Sequence, residues 1–308
     1  MPPRGHLNAH ITVKEVPRMH GALAGIRILE FSQIVAGPYT GLVLSDFGAD
    51  VVKVEPPEGE SRRNSGAVVP NEGKYFQSLN RGKRSLTCDL ADPRGQELIG
   101  RIIPAFDVVV INYRVGVAEK LGIDYATLSR LNPGLVYANI TGFGDTGRYA
   151  RRAGSDIVAQ AYSGLMAAEA KTDEFGAPAP INSTTVIDRA AGLAAATGIC
   201  AALYHRSRTG EGQQLSVSLL QTGLELLSHQ VMREPVHDAT LRDPLLGRLR
   251  NGARPARATT DRGVAEVAGD ALRFSPNLLR GVPHPGGSAR PRGANKAKPR
   301  RNSRDRGR

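Results

Sequence analysis

The chain has no tryptophan, two cysteines and four methionines, and only 5% of its 308 residues are aromatic. Cys88 and Cys200 form no spaced motif. That excludes a disulfide framework and fits a reduced pair of thiols in the cytoplasm. His205 has no histidine at metal-ligand spacing, and no metal site is expected. No run of 18 residues is continuously apolar, so no membrane span is expected. The N-terminal stretch lacks the charged, apolar and small-residue order of a signal peptide.

Apolar residues make up 40% and charged residues 23%, the balance of a globular chain long enough for one large domain or two ordinary ones. The net charge is +12 and the pI near 10.1, which taken whole suggests nucleic acid or another anionic partner. Residues 1–232, however, hold 23 Lys+Arg against 22 Asp+Glu, while residues 233–308 hold 18 against 7. The basicity belongs to the tail. Residues 233–308 read as a basic, low-complexity and disordered segment, whose Gly/Pro/Arg-rich end buries too little apolar area to offset chain entropy. Any nucleic-acid binding through it is expected to be non-specific. Residues 1–18 read as a disordered leader, with Met1 and Met19 both possible starts.

Between them, residues 19–232 alternate strand-like and helix-like runs. Gly25 to Phe31, Ala49 to Glu55, Asp107 to Asn112 and Leu135 to Ile140 are strand-like. Ala36 to Asp46, Pro93 to Ile103, Ile157 to Met166 and Arg189 to Tyr204 read as helices, and Leu215 to Val231 alternates before turning helical. Strand, helix, strand at this spacing predicts an α/β fold with an open, mostly parallel, Rossmann-like sheet flanked by helices. Ligands bind at the carboxyl ends of such strands. Glu55, Asn112-Tyr113-Arg114 and Thr141-Gly142 each follow a strand and are candidates to line one crevice.

Three local patterns each carry two readings. Gly142-Phe143-Gly144-Asp145-Thr146-Gly147 is a literal G-x-G-x-x-G after a strand. A dinucleotide site needs a helix to open there, and Arg148 to Gly154 starts a helix poorly, which favours a glycine-rich active-site loop. Asn80-Arg81-Gly82-Lys83-Arg84-Ser85 is either a solvated turn or a grip on phosphate. Asp188 follows the strand-like Thr184 to Ile187 and precedes an Ala-rich helix. By spacing it is first an N-cap; the same place also keeps a carboxylate ionised near a helix start, where it can act as a nucleophile.

Taken together, these residues resemble the class III coenzyme A transferases, the superfamily of formyl-CoA transferase, carnitine CoA-transferase and α-methylacyl-CoA racemase. The resemblance runs from Leu23 to Leu227. It rests on residues 23–32, Ala36-Gly37-Pro38, 46–55, 80–86, Asn112 to Gly116, Leu131-Asn132-Pro133, Thr141 to Gly147 and Arg208 to Gln213. It implies transfer of coenzyme A from an acyl-CoA to a carboxylic acid, through an aspartyl anhydride and an enzyme–CoA thioester. Asp188 matches the nucleophile, and Asp156 is placed to support it. The coenzyme A contacts fall on Val35, Ala36, Cys88, Asp89, Leu90, Ala91, Asn112, Tyr113, Arg114, Lys120, Ala153, Gly154 and Ser155. No tightly bound cofactor is implied; coenzyme A and acyl-CoA are substrates. A homodimer is implied as well.

Three departures qualify that expectation. Pro56 stands where relatives place a coenzyme A-contacting arginine. Ser155 stands where the racemase branch has a proton-shuttling histidine, and serine without help is no general base near neutral pH. Members of the family are longer, with a second, smaller domain whose glycine-rich loop closes over the site. After Gln230 that domain is not recognisable, which suggests deletion or a frameshift near residue 232. A catalytically inactive, coenzyme A-binding remnant is therefore the alternative to an active transferase.

Overall fold

A computed structural model describes residues 21–66, 69–70 and 72–228. The expected leader at 1–18 and basic tail at 233–308 lie outside the described residues. The strands are β1 (Arg27–Phe31), β2 (Asp50–Glu55), β3 (Arg84–Thr87), β4 (Val108–Ile111), β5 (Val136–Thr141) and β6 (Gln213–Ser218). The helices are α1 (Ala36–Asp46), α2 (Lys74–Asn80), α3 (Pro93–Ile102), α4 (Val117–Lys120), α5 (Tyr125–Leu131), α6 (Asp156–Ser163), α7 (Leu165–Ala168), α8 (Val186–Thr209) and α9 (Leu219–Leu226).

The six strands form one sheet in the order β3-β2-β1-β4-β5-β6, and every pairing is parallel. Valine and isoleucine dominate the central strands because both faces are covered. Ile28, Val51, Val108, Val110 and Val136 pack with Ala196, Ile199 and Ala202 of α8 and Leu44 of α1. Leu29, Phe31, Val52, Val54, Val109 and Ile111 point to the other face, onto Ile99 of α3 and Leu128 of α5. Alternate residues of one strand thus feed two cores. The strand order reverses between β1 and β4, the switch point where such sheets open a crevice.

Two sequence expectations change. The helix expected over 157–166 breaks at Gly164, whose φ of +86° ends α6 and starts α7. Val186 and Ile187, read as the end of a strand, already belong to α8. α8 is also long and apolar enough by length and composition to cross a membrane. It packs instead on α1, β5, β6 and α9, so its small apolar residues serve the core.

Candidate active site

The loop after β1, the segment after β4 and the glycine-rich loop after β5 converge on one cavity of about 580 Å³. Gln33, Ile34, Val35 and Ala36 come from the first, Asn112 to Val115 from the second, and Thr141 and Gly142 from the third. Gly154 and Ser155 precede α6, and Asp188 stands in the first turn of α8. Parallel strands deliver all three loops to one edge, which is why residues more than 100 positions apart meet.

Asp188 is 9% exposed, and among the described residues its carboxylate accepts no hydrogen bond. It is not the N-cap. Thr185 occupies that position without a side-chain cap, and the buried Asp156 does the capping from another helix. One oxygen of Asp156 accepts the N–H of Ile187 at 2.7 Å and of Asp188 at 2.9 Å. Its other oxygen accepts from Gln160 Nε2 at 2.5 Å, and Gln160 is itself held by the backbone of Ile181. Burial, and next the Asp156 charge, push the Asp188 carboxyl up to about 7, while Arg62 pulls the other way. The helix start therefore does not hold Asp188 firmly ionised, as its position suggested; loss of water outweighs the dipole.

The glycine-rich loop carries no helix. α6 begins only at Asp156, so no helix N-terminus faces a pyrophosphate at Gly147. The loop instead allows a close backbone crossing. A Cβ on Gly142 would lie 2.6 Å from Gly154 Cα, and both residues line the cavity. Ser155 Oγ accepts the Val158 N–H at 3.4 Å and so caps α6.

Val35, Ala36, Asn112, Tyr113, Arg114, Gly154, Ser155 and Asp188 thus share one cavity. Cys88, Asp89, Leu90 and Ala91 follow the edge strand β3, outside its wall, with Cys88 and Leu90 buried in the core. Lys120 ends α4 and is exposed; Val117 of that helix, not Lys120, lines the cavity. Ala153 lies beside the wall, and Asp156 reaches it only through its bonds to α8. Glu55 does not face the crevice. Arg63 holds it with two 2.6 Å contacts, and Ser85 and the Glu60 N–H complete its bonding. Those hydrogen bonds overcome burial and bring its carboxyl down to about 2.

The basic loop at 80–85 divides between an interior lysine and two surface arginines. Lys83 Nζ is buried 2.8 Å from Glu30 Oε2 and 2.8 Å from Pro38 O, while Arg84 pairs with Asp50 and Arg81 with Asp46. Burial and the Glu30 pair leave Lys83 unavailable to a phosphate, whereas Arg81 and Arg84 stay exposed in surface pairs.

Sequence reasoning missed Gln33, Ile34 and Arg152 in the wall. Arg152 lies over the Tyr149 ring at 4.6 Å and donates to Tyr162 Oη at 3.3 Å, within an aromatic group that includes Phe143. Its place just before the 153–156 loop was the available signal. It also missed a buried charge group, Glu30, Lys53, Glu60 and Lys83. Oppositely charged residues in two adjacent strand-like runs were the hint, and Glu30 and Lys53 prove to be register partners.

Comparison with known proteins fits this geometry. The chain is 40% identical over 226 residues to a succinate–glutarate CoA-transferase of Agrobacterium fabrum, covering 71% of this chain and 56% of that one. It is 40% identical over 220 residues to a succinyl-CoA:mesaconate CoA-transferase of Haloarcula hispanica, with 68% and 55% covered. The crystal structure of a CAIB/BAIF family protein from Brucella suis matches at 39% identity and a TM-score of 0.65, covering 69% of this chain and 57% of that one. The chain thus spans somewhat more than half the length of these relatives. The family model described as CoA-transferase family III matches residues 23–306. With the parallel sheet, the switch-point cavity and that match in agreement, the chain belongs to CoA-transferase family III.

Proposed function

We propose that the protein transfers coenzyme A between an acyl-CoA and a carboxylic acid, with Asp188 as the nucleophile. The observation that carries this reading is the Asp188 carboxylate: buried in a cavity wall, free of hydrogen bonds among the described residues, and pushed up to about 7 by that burial. A carboxylate with little solvation and no committed lone pair is a competent nucleophile. Its oxygen attacks the thioester carbonyl carbon; the C–S bond breaks, coenzyme A leaves as thiolate and an aspartyl anhydride forms. The thiolate then attacks the Asp188 carbonyl, releasing the donor acid and leaving an enzyme thioester. The acceptor carboxylate attacks that thioester, coenzyme A departs again, and its thiolate takes the new acyl group and frees Asp188. Backbone N–H groups at the start of α1 or in the glycine-rich loop are suited to stabilise the oxyanions.

Asp156 fixes the turn that carries Asp188. Val35, Ala36, Asn112, Tyr113, Arg114, Gly154 and Ser155 are assigned to coenzyme A within the cavity. Cys88 to Ala91, Lys120 and Ala153 are assigned to parts of the ligand outside it. Ser155 favours transfer over racemisation, because its hydroxyl is committed as a helix cap and is no base. We further assign the protein to the cytoplasm as a homodimer; the free thiols of Cys88 and Cys200 are in keeping with that compartment.

The test uses the full chain with succinyl-CoA and a panel of glutarate, mesaconate and oxalate, trapped with hydroxylamine and mapped by mass spectrometry. A hydroxamate on Asp188 is expected. An unmodified Asp188 across the panel overturns the nucleophile assignment. Coenzyme A binding without turnover would instead identify an inactive, ligand-binding protein.

A further inference from the structure

Three consecutive residues after β1 are each held by a side chain from elsewhere in the chain: Lys53 of β2, Asn112 just after β4 and Glu60 in the loop after β2. Lys53 Nζ donates to Ser32 O at 2.5 Å. Asn112 grips Gln33 at both ends, accepting its N–H at 2.9 Å and donating to its carbonyl at 2.7 Å. Glu60 accepts the Ile34 N–H at 2.8 Å. Ile34 sits at φ +71°, in the left-handed region that a β-branched residue rarely enters. Such a conformation persists only where the surroundings over-determine it.

Glu60 is itself fixed at both ends. Its N–H donates to Glu55 Oε2 at 3.1 Å, and its second carboxylate oxygen lies 2.8 Å from Lys53 Nζ. It is 4% exposed and is not among the residues of the cavity wall. Its direct hydrogen bond toward the cavity wall runs through Ile34 of the β1–α1 loop. That loop supplies Ile34, Val35 and Ala36 to the wall they share with Asp188.

We propose that Glu60 is a positioning residue for coenzyme A: by holding Ile34 in the left-handed region it sets the part of the wall formed by Ile34, Val35 and Ala36. This rests on the assignment of the cavity to coenzyme A. Glycine adopts a positive φ without a clamp, so Ile34→Gly removes the need for Glu60. The oxygen of a glutamine still accepts the Ile34 N–H, so Glu60→Gln keeps the contact that matters.

The experiment measures binding of coenzyme A to the full chain by calorimetry, with hydrogen exchange at residues 34–37 as a second readout. Glu60→Ala is expected to weaken binding by about tenfold or more and to speed exchange at Ile34. Glu60→Gln is expected to keep most of the affinity, and Glu60→Ala with Ile34→Gly to recover most of it. Should Glu60→Ala not fold, Glu60→Met paired with Lys53→Met removes the acceptor without stranding a buried charge, and the same loss and rescue are expected. Affinity within about twofold of wild type in the variant lacking the acceptor overturns the proposal. So does a loss that Ile34→Gly leaves unrescued, which would mark Glu60 as a support of the fold alone. If the wild type binds no coenzyme A, the cavity assignment fails; the clamp then stands or falls on exchange at Ile34, and unchanged exchange overturns it.

Discussion

Asp156 Oδ1 accepts the backbone N–H of Asp188 at 2.9 Å, across 32 residues of chain. One carboxylate thereby caps the helix that carries the other and raises the cost of ionising it. Asp156→Asn keeps an oxygen acceptor for the cap and removes the charge. The Asp188 titration is expected to move down in that variant and up in Arg62→Gln, because Arg62 acts in the opposite sense. Carbodiimide labelling of Asp188 against pH, read by mass spectrometry, checks both directions. Asp156→Ala also loses the cap and is expected to cost about 1–2 kcal/mol in urea unfolding.

Two carboxyls give stability opposite dependences on pH. Asp188 is raised to about 7 in the folded protein from an ordinary value of 3.8, so folding favours its protonated form. Its contribution is fully present below pH 4 and lost as pH rises through 7. Asp188→Asn is therefore expected to be more stable than wild type at pH 8, by roughly 2–4 kcal/mol, with the gain vanishing by pH 4. Glu55 is lowered to about 2 from 4.5, so its contribution is present above pH 5 and lost toward pH 2. Glu55→Gln is expected to cost about 2 kcal/mol at pH 7 and little in acid. Urea unfolding of each variant against wild type at three pH values separates the two signs.

Gly142 and Gly154 cross too closely for a side chain on either. A Cβ on Gly154 would lie 2.4 Å from Gly142 Cα, and the obstruction is backbone, which cannot rotate away. Gly142→Ala and Gly154→Ala are each expected to destabilise by about 1–3 kcal/mol and to distort the cavity edge. Comparable stability and unchanged coenzyme A affinity in either variant would contradict the crossing.

Lys83 and Arg84 are neighbours in sequence with opposite environments. Lys83 is paired with Glu30 at 2% and 0% side-chain exposure, whereas Arg84 is 62% exposed beside Asp50. Lys83→Met leaves Glu30 with one buried partner fewer and is expected to cost about 3–5 kcal/mol. Arg84→Ala is expected to cost about 1 kcal/mol or less. Thermal unfolding of the two variants measures the contrast, and equal losses would show that burial does not govern this loop.

Much of the fold was readable along the chain. The limits of α1 match the expected Ala36 to Asp46, and β1, β2, β4 and β5 fall within two residues of the strand-like runs. α2, α4 and α5, with four to seven residues each, lacked enough periodicity to stand out. The site was legible in part. Glycine spacing pointed to the loop at 142–147, and the place of Asp188 before an Ala-rich run pointed to a helix start. Charge misled at Lys83, read as part of a solvated turn or a phosphate grip: it is buried with Glu30, because ion pairing compensates the desolvation.

By itself the sequence determined the parallel α/β sheet, because β-branched runs alternating with helical ones have few other ways to bury both faces. It also determined that the basic excess lies after residue 232, away from a nearly neutral body. Only the tertiary structure decided which carboxylate caps α8 and which is left free, since the bond from Asp156 to Asp188 joins two helices through no local pattern. It alone decided that Ile34 turns left-handed, because that conformation is imposed by Glu60, Lys53 and Asn112 rather than preferred by isoleucine.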